Sequence, residues 1–242
     1  MIRCYLPPNQ WQEGKVLLDG REGHHLARVL RVRSGDSVLC FDGTGREADA
    51  VVRKVSRQGV LLEAGPTRKL PDPPFSISLA AAVPGQGKLD EIINQATQLG
   101  ARRIIPLITE RTLLRQIPAA DRKQERWLQV AVEAAKQSGM VRIPEVQPVQ
   151  RLDSLLSSFS RYDRVLLASV EGPWEDLRSL LSSGPPREIL LLIGPEGDFS
   201  PEEVRQAVEA GAARFSLGPT VLRCETACVA ALSVVSFLLR GP

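Results

Sequence analysis

Ile189-Leu190-Leu191-Leu192-Ile193-Gly194-Pro195-Glu196-Gly197-Asp198-Phe199-Ser200-Pro201-Glu202-Glu203 is the stretch on which the fold turns. Its first five residues are apolar without alternation, the pattern of a strand covered on both faces by helices, as in a parallel sheet. Its last four are a helix start: Ser200 can cap, Pro201 suits the first helical position and Glu203 completes a capping box. A buried strand, a glycine-proline loop and a capped helix in succession make one step of an α/β domain. Ligands in open sheets of this kind bind beyond the carboxyl ends of the strands, which makes the loop 194–199 a candidate site.

Outward from this stretch the step repeats. Strands are expected at 77–83, 103–107, 165–168 and 214–217, and helices at 89–99, 121–137, 174–181, 201–210 and 225–239. Helix 225–239 is apolar almost all round, so it must be buried, in its own domain or against a second subunit. The string Pro71-Asp72-Pro73-Pro74 removes backbone donors and disfavours helix, which marks a linker. Before it the pattern changes: from 2 to 64 short β-type runs are separated by turns, with one helical segment at 22–30. Asp42-Gly43 reads as a hairpin turn, because glycine supplies the positive φ that such turns demand. The expected organisation is a small β-barrel at 1–70 followed by an α/β domain with a parallel sheet at 75–242.

The chain has 242 residues and 43% hydrophobic content, enough to bury one large core or two ordinary ones. Cys4, Cys40, Cys224 and Cys228 form neither a CxxC pair nor a secreted disulfide framework, so no metal is expected and a reducing cytoplasm is. No basic-then-apolar leader opens the chain, and charge or proline interrupts every long apolar stretch, so a soluble cytoplasmic protein without a membrane partner is expected. The net charge of +3 is unevenly spread: residues 1–70 carry 12 Lys/Arg against 8 Asp/Glu, residues 71–242 carry 19 against 20. That excess is compatible with a nucleic-acid partner, but on the numbers alone ordinary solubilising charge is the favoured reading.

A second glycine-proline loop, Leu217-Gly218-Pro219-Thr220-Val221-Leu222-Arg223, follows the last expected strand. Glycines let a ligand approach the main chain and prolines hold loop shape. One such loop is an ordinary turn; two in succession, leading into a buried helix, suit adenine and ribose recognition through backbone groups. Familiar nucleotide fingerprints are absent. No GxGxxG follows a strand, Gly85-Gln86-Gly87-Lys88 lacks the spacing of a phosphate loop, and there is no GxSxG elbow, which argues against kinases, ATPases, dehydrogenases and serine hydrolases.

At these residues the chain resembles the 16S ribosomal RNA uridine N3-methyltransferases of the SPOUT superfamily of knotted methyltransferases. The resemblance runs nearly end to end. It rests on the segments 24–31, Lys88-Leu89-Asp90 with 96–100, Thr109-Glu110-Arg111, 133–139, 193–200, and 217–218 through 222–227. It implies an N-terminal PUA-like RNA-binding barrel and a C-terminal α/β domain tied in a trefoil knot. It further implies a homodimer, S-adenosylmethionine as methyl donor without metal, and a decoding-region uridine of 16S rRNA, free or in the assembled small subunit, as substrate. Methylation of another RNA site, or a noncatalytic role in ribosome assembly, are the competing readings. Four positions depart from the family pattern: Asp198 where glycine is frequent, Met140 where a basic residue is common, Gln98 in place of glutamate and Cys224 in place of threonine.

The implied methyl-donor pocket comprises Ile193, Gly194, Pro195, Glu196 and Gly197, then Leu217, Gly218 and Leu222, with Ala168. Attack by uridine N3 requires loss of its imino proton, so a cation beside the uracil carbonyls helps. Arg223, at the end of the second loop, is the first choice; its competing role is an ion pair with Glu225 or contact with helix carbonyls. Glu196 either orients the pocket and accepts a proton, or caps the amides of Gly197 and Asp198. The target base must leave its stack to react. RNA contacts are expected from Arg3, Arg28 and Arg31, the last two sharing a helical face, and from Lys88, Arg111 and Gln137, with solvated surface charge as the alternative.

Overall fold

The computed structural model describes residues 1–85, 88–112, 120–182, 184 and 186–240, with side chains throughout except at 120–122. Gln86 and Gly87, part of the segment tested above for a phosphate loop, lie outside the described residues. Contacts divide the chain into two units, Met1–Asp72 with Val132–Ile143, and Pro73–Ala131 with Pro144–Pro242.

In the first unit, β1 (Ile2–Tyr5), β2 (Gly14–Leu18), α1 (Gly20–His24), β3 (Ser37–Phe41), β4 (Arg46–Ser56), β5 (Gly59–Ala64) and β6 (Arg68–Lys69) follow one another. The sheet order is β1-β3-β4-β5-β2, with β6 paired to β4. β1 runs parallel to β3, and the other pairs are antiparallel. Alternation does the sorting: Val16 and Leu18 point inward to join Leu26, Val38, Val52, Val60 and Leu62, while Lys15 and Leu17 face out. The turn after β3 is wider than a two-residue hairpin. Gly43 (φ +78°) and Gly45 (φ +110°) supply the left-handed backbone. The buried Asp42 carboxylate organises the turn by accepting from the amides of Thr44 (2.8 Å) and Arg46 (3.0 Å). Phe41 is covered by Ala135 and Val141, so the segment 132–143 completes this unit's packing.

α1 passes into a π turn at His25–Val29, and the amide of Leu30 closes on the His25 carbonyl at 3.0 Å. The chain then leaves the helix, with Arg31 at φ +53°. Arg28 and Arg31 therefore do not share a helical face as expected: the helical turn ends at Val29, and Arg31 itself is left-handed and lies outside it.

The second unit contains β7 (Ser76–Ala82), α2 (Lys88–Gln98), β8 (Arg103–Ile108) and α3 (Ala120–Ser138), whose residues from 132 count with the first unit. Next come β9 (Glu145–Val146), β10 (Gln150–Arg151), α4 (Leu152–Leu156), β11 (Arg164–Ala168), α5 (Leu177–Ser182), β12 (Glu188–Ile193), α6 (Pro201–Glu209), β13 (Ala212–Phe215) and α7 (Cys224–Arg240). The order is β10-β8-β7-β12-β11-β13, with β9 on β8, and every pair is parallel. β12 is central, and Ile189 to Leu192 are fully buried. On one face its Leu190 and Leu192 pack with Leu152, Leu155, Phe159 and Ala207; α7 packs on β7, β12 and α2. The capping box of α6 forms as its sequence specifies: Glu203 N donates to Ser200 Oγ (3.3 Å) and Ser200 N to the Glu203 carboxylate (2.9 Å). The helix expected at 174–181 starts later, at Leu177, because Trp174 follows Pro173 and spends its indole N–H on the Ser169 carbonyl (3.0 Å). No described helix is long and apolar enough to cross a membrane.

Candidate active site

β12, β11 and β13 lie side by side and parallel, with Leu167 beside Leu192 and Ala168 beside Phe215, so their carboxyl ends share one edge of the sheet. An open cleft of about 520 Å³ lies at that edge. Ala168, Ile193, Gly194, Pro195, Glu196, Leu217, Gly218 and Leu222 border it, which brings together residues expected at the pocket from three separate loops. Gly197 does not border it; its carbonyl instead accepts from Arg111 Nη1 at 2.6 Å.

Two glycines fit this site for steric reasons. A Cβ on Gly194 would stand 3.0 Å from Asp198 Oδ1 and 3.1 Å from the Phe199 amide nitrogen, so a side chain there would require the loop to give by a few tenths of an ångström. Gly218 sits at φ +121°, outside the ordinary range of other residues. Thr220 and Val221, within the second loop read as pocket, and Asp198, at the end of the first, border the cleft as well, and so do Ser169, Val170, Cys224 and Ala227, which sequence reasoning did not place there. Asp198 carried a readable signal, since aspartate tolerates the left-handed backbone it adopts here (φ +60°) after a turn closed by its own amide on the Pro195 carbonyl (2.9 Å).

Arg223 is exposed between Leu222 and Cys224, and among the described residues its guanidinium makes no hydrogen bond or ion pair. Its expected competitor role, a pair with Glu225, is filled by Lys88, whose Nζ lies 3.2 Å from the buried Glu225 carboxylate. Burial pushes the Glu225 carboxyl up, but its own amide, Lys88 and the nearby Arg223 charge outweigh this and hold it below the ordinary carboxylate value. Glu196 is exposed on the cleft and does not cap the Asp198 amide, which Pro195 already satisfies. Among the described residues no cluster of His, Cys, Asp and Glu is placed to hold a metal ion.

Of the residues expected on RNA, Lys88 and Arg111 are engaged within the second unit, Arg111 also reaching the Phe199 carbonyl at 3.4 Å. Arg3 donates to the Met140 carbonyl (3.1 Å) and lies over the Phe41 ring at 5.0 Å, and burial lowers its pKa. Arg28, Arg31 and Gln137 are exposed in the first unit.

Residues 71–236 match the model of an RNA methyltransferase domain and residues 18–64 that of an RNA methyltransferase PUA domain. The chain belongs to the RNA methyltransferase family. It is 34% identical to the ribosomal RNA small subunit methyltransferase E of Bacillus subtilis, over 93% of this chain and 91% of that one. It is 32% identical to that of Synechocystis, over 99% and 78%. A ribosomal RNA small subunit methyltransferase E from Neisseria gonorrhoeae, solved bound to S-adenosyl methionine, superposes with a TM-score of 0.86 at 28% identity, covering 98% of this chain and 97% of that one. A putative methyltransferase from Legionella pneumophila in complex with the same cofactor gives 0.87 at 31%, covering 97% and 96%. The family assignment agrees with the resemblance drawn from the sequence, down to a parallel α/β domain preceded by a PUA domain.

Proposed function

We propose that the protein transfers a methyl group from S-adenosylmethionine to N3 of a uridine in the decoding region of 16S ribosomal RNA, acting in the cytoplasm as a homodimer. The observation that carries this reading is the cleft at the ends of β11, β12 and β13, built from backbone-rich loops in a chain whose relatives are named for small-subunit rRNA methylation. The residues present fit the methyl donor: at Gly194 the main chain itself borders the cleft, and Leu217 and Leu222 give it apolar walls. Ala168, Ile193 to Glu196, Leu217, Gly218 and Leu222 would hold it, with Gly197 supporting the loop from behind.

The bound donor supplies an electrophilic methyl group on a sulfonium. The chain's own residues must present N3 and remove its proton. The exposed Arg223 guanidinium supplies a fixed positive charge for the uracil carbonyl oxygens as N3 loses its proton. The Glu196 carboxylate stands on the cleft as a proton acceptor. In this reading residues 1–70 are the RNA-binding PUA domain and 75–242 the catalytic one, with Arg28, Arg31 and Gln137 as exposed groups for RNA and Arg3, Lys88 and Arg111 acting through the structure they hold. Mass mapping of ribosomal RNA from cells with and without the gene tests the assignment. Loss of one N3-methyluridine on deletion is expected; its persistence in cells lacking any other such methylase overturns it, and loss of a different methylated base redirects the site.

A further inference from the structure

The loops after β11 and β12 are each secured on their own side. Ser169 N continues the ladder to the Phe215 carbonyl at 3.1 Å, and Arg214 Nη2 donates to Ser169 Oγ at 3.0 Å and to the Glu171 carbonyl. On the other side, Arg111 holds the Gly197 carbonyl and the Asp198 amide closes on Pro195. Among the described residues one side chain joins the two loops by hydrogen bonds. Asp198 Oδ2 accepts from the Val170 amide at 2.9 Å, while Oδ1 accepts from the Phe199 amide at 2.8 Å. Asp198 and Val170 both border the cleft, and Val170 is 50% exposed, so little packing holds Val170 itself in place.

We propose that Asp198 is a positioning residue whose carboxylate clasps the loop after β11 to the loop after β12 and so keeps the cleft preformed for the methyl donor. The left-handed backbone at 198 (φ +60°) aims the carboxylate backward across its own turn, where one oxygen satisfies the Phe199 amide and the other reaches the neighbouring loop. Without the clasp, binding must itself order the main chain at Val170, between the anchored Ser169 and Glu171, and that entropy is subtracted from affinity. The effect belongs to binding of the donor rather than to the chemistry on uridine. The proposal rests on the methyl-donor reading of the cleft.

The test compares wild type with Asp198→Gly, which adopts this φ freely and removes only the carboxylate, and with Asp198→Asn, which tolerates the φ but offers one acceptor oxygen in place of two. Calorimetry should show Kd for S-adenosylmethionine weakened about tenfold in Asp198→Gly and by less in Asp198→Asn. In turnover on ribosomal RNA, KM for the donor should rise with the Kd and kcat should fall much less. Amide exchange at Val170 should quicken in Asp198→Gly. Unchanged Kd and unchanged Val170 exchange in a folded Asp198→Gly overturn the clasp. Absence of any donor binding by folded wild type overturns the methyl-donor reading instead, and Val170 exchange then decides whether the clasp exists.

Discussion

Two cations near Glu225 behave oppositely because one is paired with it and the other is not. Lys88 neutralises Glu225, which is buried at the first turn of α7 and whose second oxygen has no partner among the described residues. Removing the amine by Lys88→Ala leaves a carboxylate stranded in the interior and should cost about 1–2 kcal/mol, or about 2–8 °C in the thermal midpoint. The sign of the pH dependence follows from the direction of the shift. Glu225 is held below the ordinary value of about 4.3, so its contribution is present at pH above that value and is lost as pH falls through the lower, folded one. The gap between wild type and Lys88→Ala should therefore be full at pH 7 and shrink on acidification; a gap of constant size from pH 7 to pH 3 would contradict the pairing. Arg223, by contrast, is exposed and unengaged among the described residues. Arg223→Ala should leave the fold and the Kd for S-adenosylmethionine within about twofold of wild type while lowering kcat by about a hundredfold or more. Retained turnover would remove Arg223 from the reaction.

At the scale of elements, the strongly patterned pieces were readable and the short ones were not. β12 announced itself as five apolar residues in a row and α6 by its capping box, because each is fixed by local chemistry that outweighs its surroundings. Residues 139–162 fold into β9, β10, α4 and a 3-10 turn, two to five residues each, too short to show a period. Leu152, Leu155 and Phe159 become buried only through partners distant in sequence. The cleft was legible where glycine and proline mark loops; the bond that joins Val170 to Asp198 was not, since a hydrogen bond between loops leaves no trace in either one alone. α7 was read as apolar nearly all round, and within its unit one face, Cys228, Ala231, Leu232 and Val235, is buried while Val234 is 42% and Phe237 73% exposed. An exposed phenylalanine on an otherwise apolar helix suits burial against a second copy of the chain. Phe237→Glu should shift sedimentation from dimer to monomer, weakening association about a hundredfold or more. An unchanged dimer would place the interface elsewhere.

For the molecule as a whole, charge and chemistry are divided between the units. Residues 1–70 hold the cationic excess, 12 Lys/Arg against 8 Asp/Glu, whereas every residue bordering the cleft belongs to the second unit. If the first unit supplies phosphate contacts and the second the methyl-donor site, RNA affinity and donor affinity are separable by mutation. Arg28 and Arg31 are the sharpest probes, because both are exposed and neither is tied to a shared helical face, so that each can meet its own phosphate. The double variant Arg28→Ala, Arg31→Ala should weaken binding of a ribosomal RNA fragment about ten- to a hundredfold near 0.1 M salt. It should also flatten the dependence of log K on log salt by about two units, one per phosphate lost. Donor affinity should not move. A uniform loss with an unchanged salt slope would mean that the two arginines support the fold of the first unit rather than touch RNA, and a fall in donor affinity as well would mean that the units do not divide the work in this way.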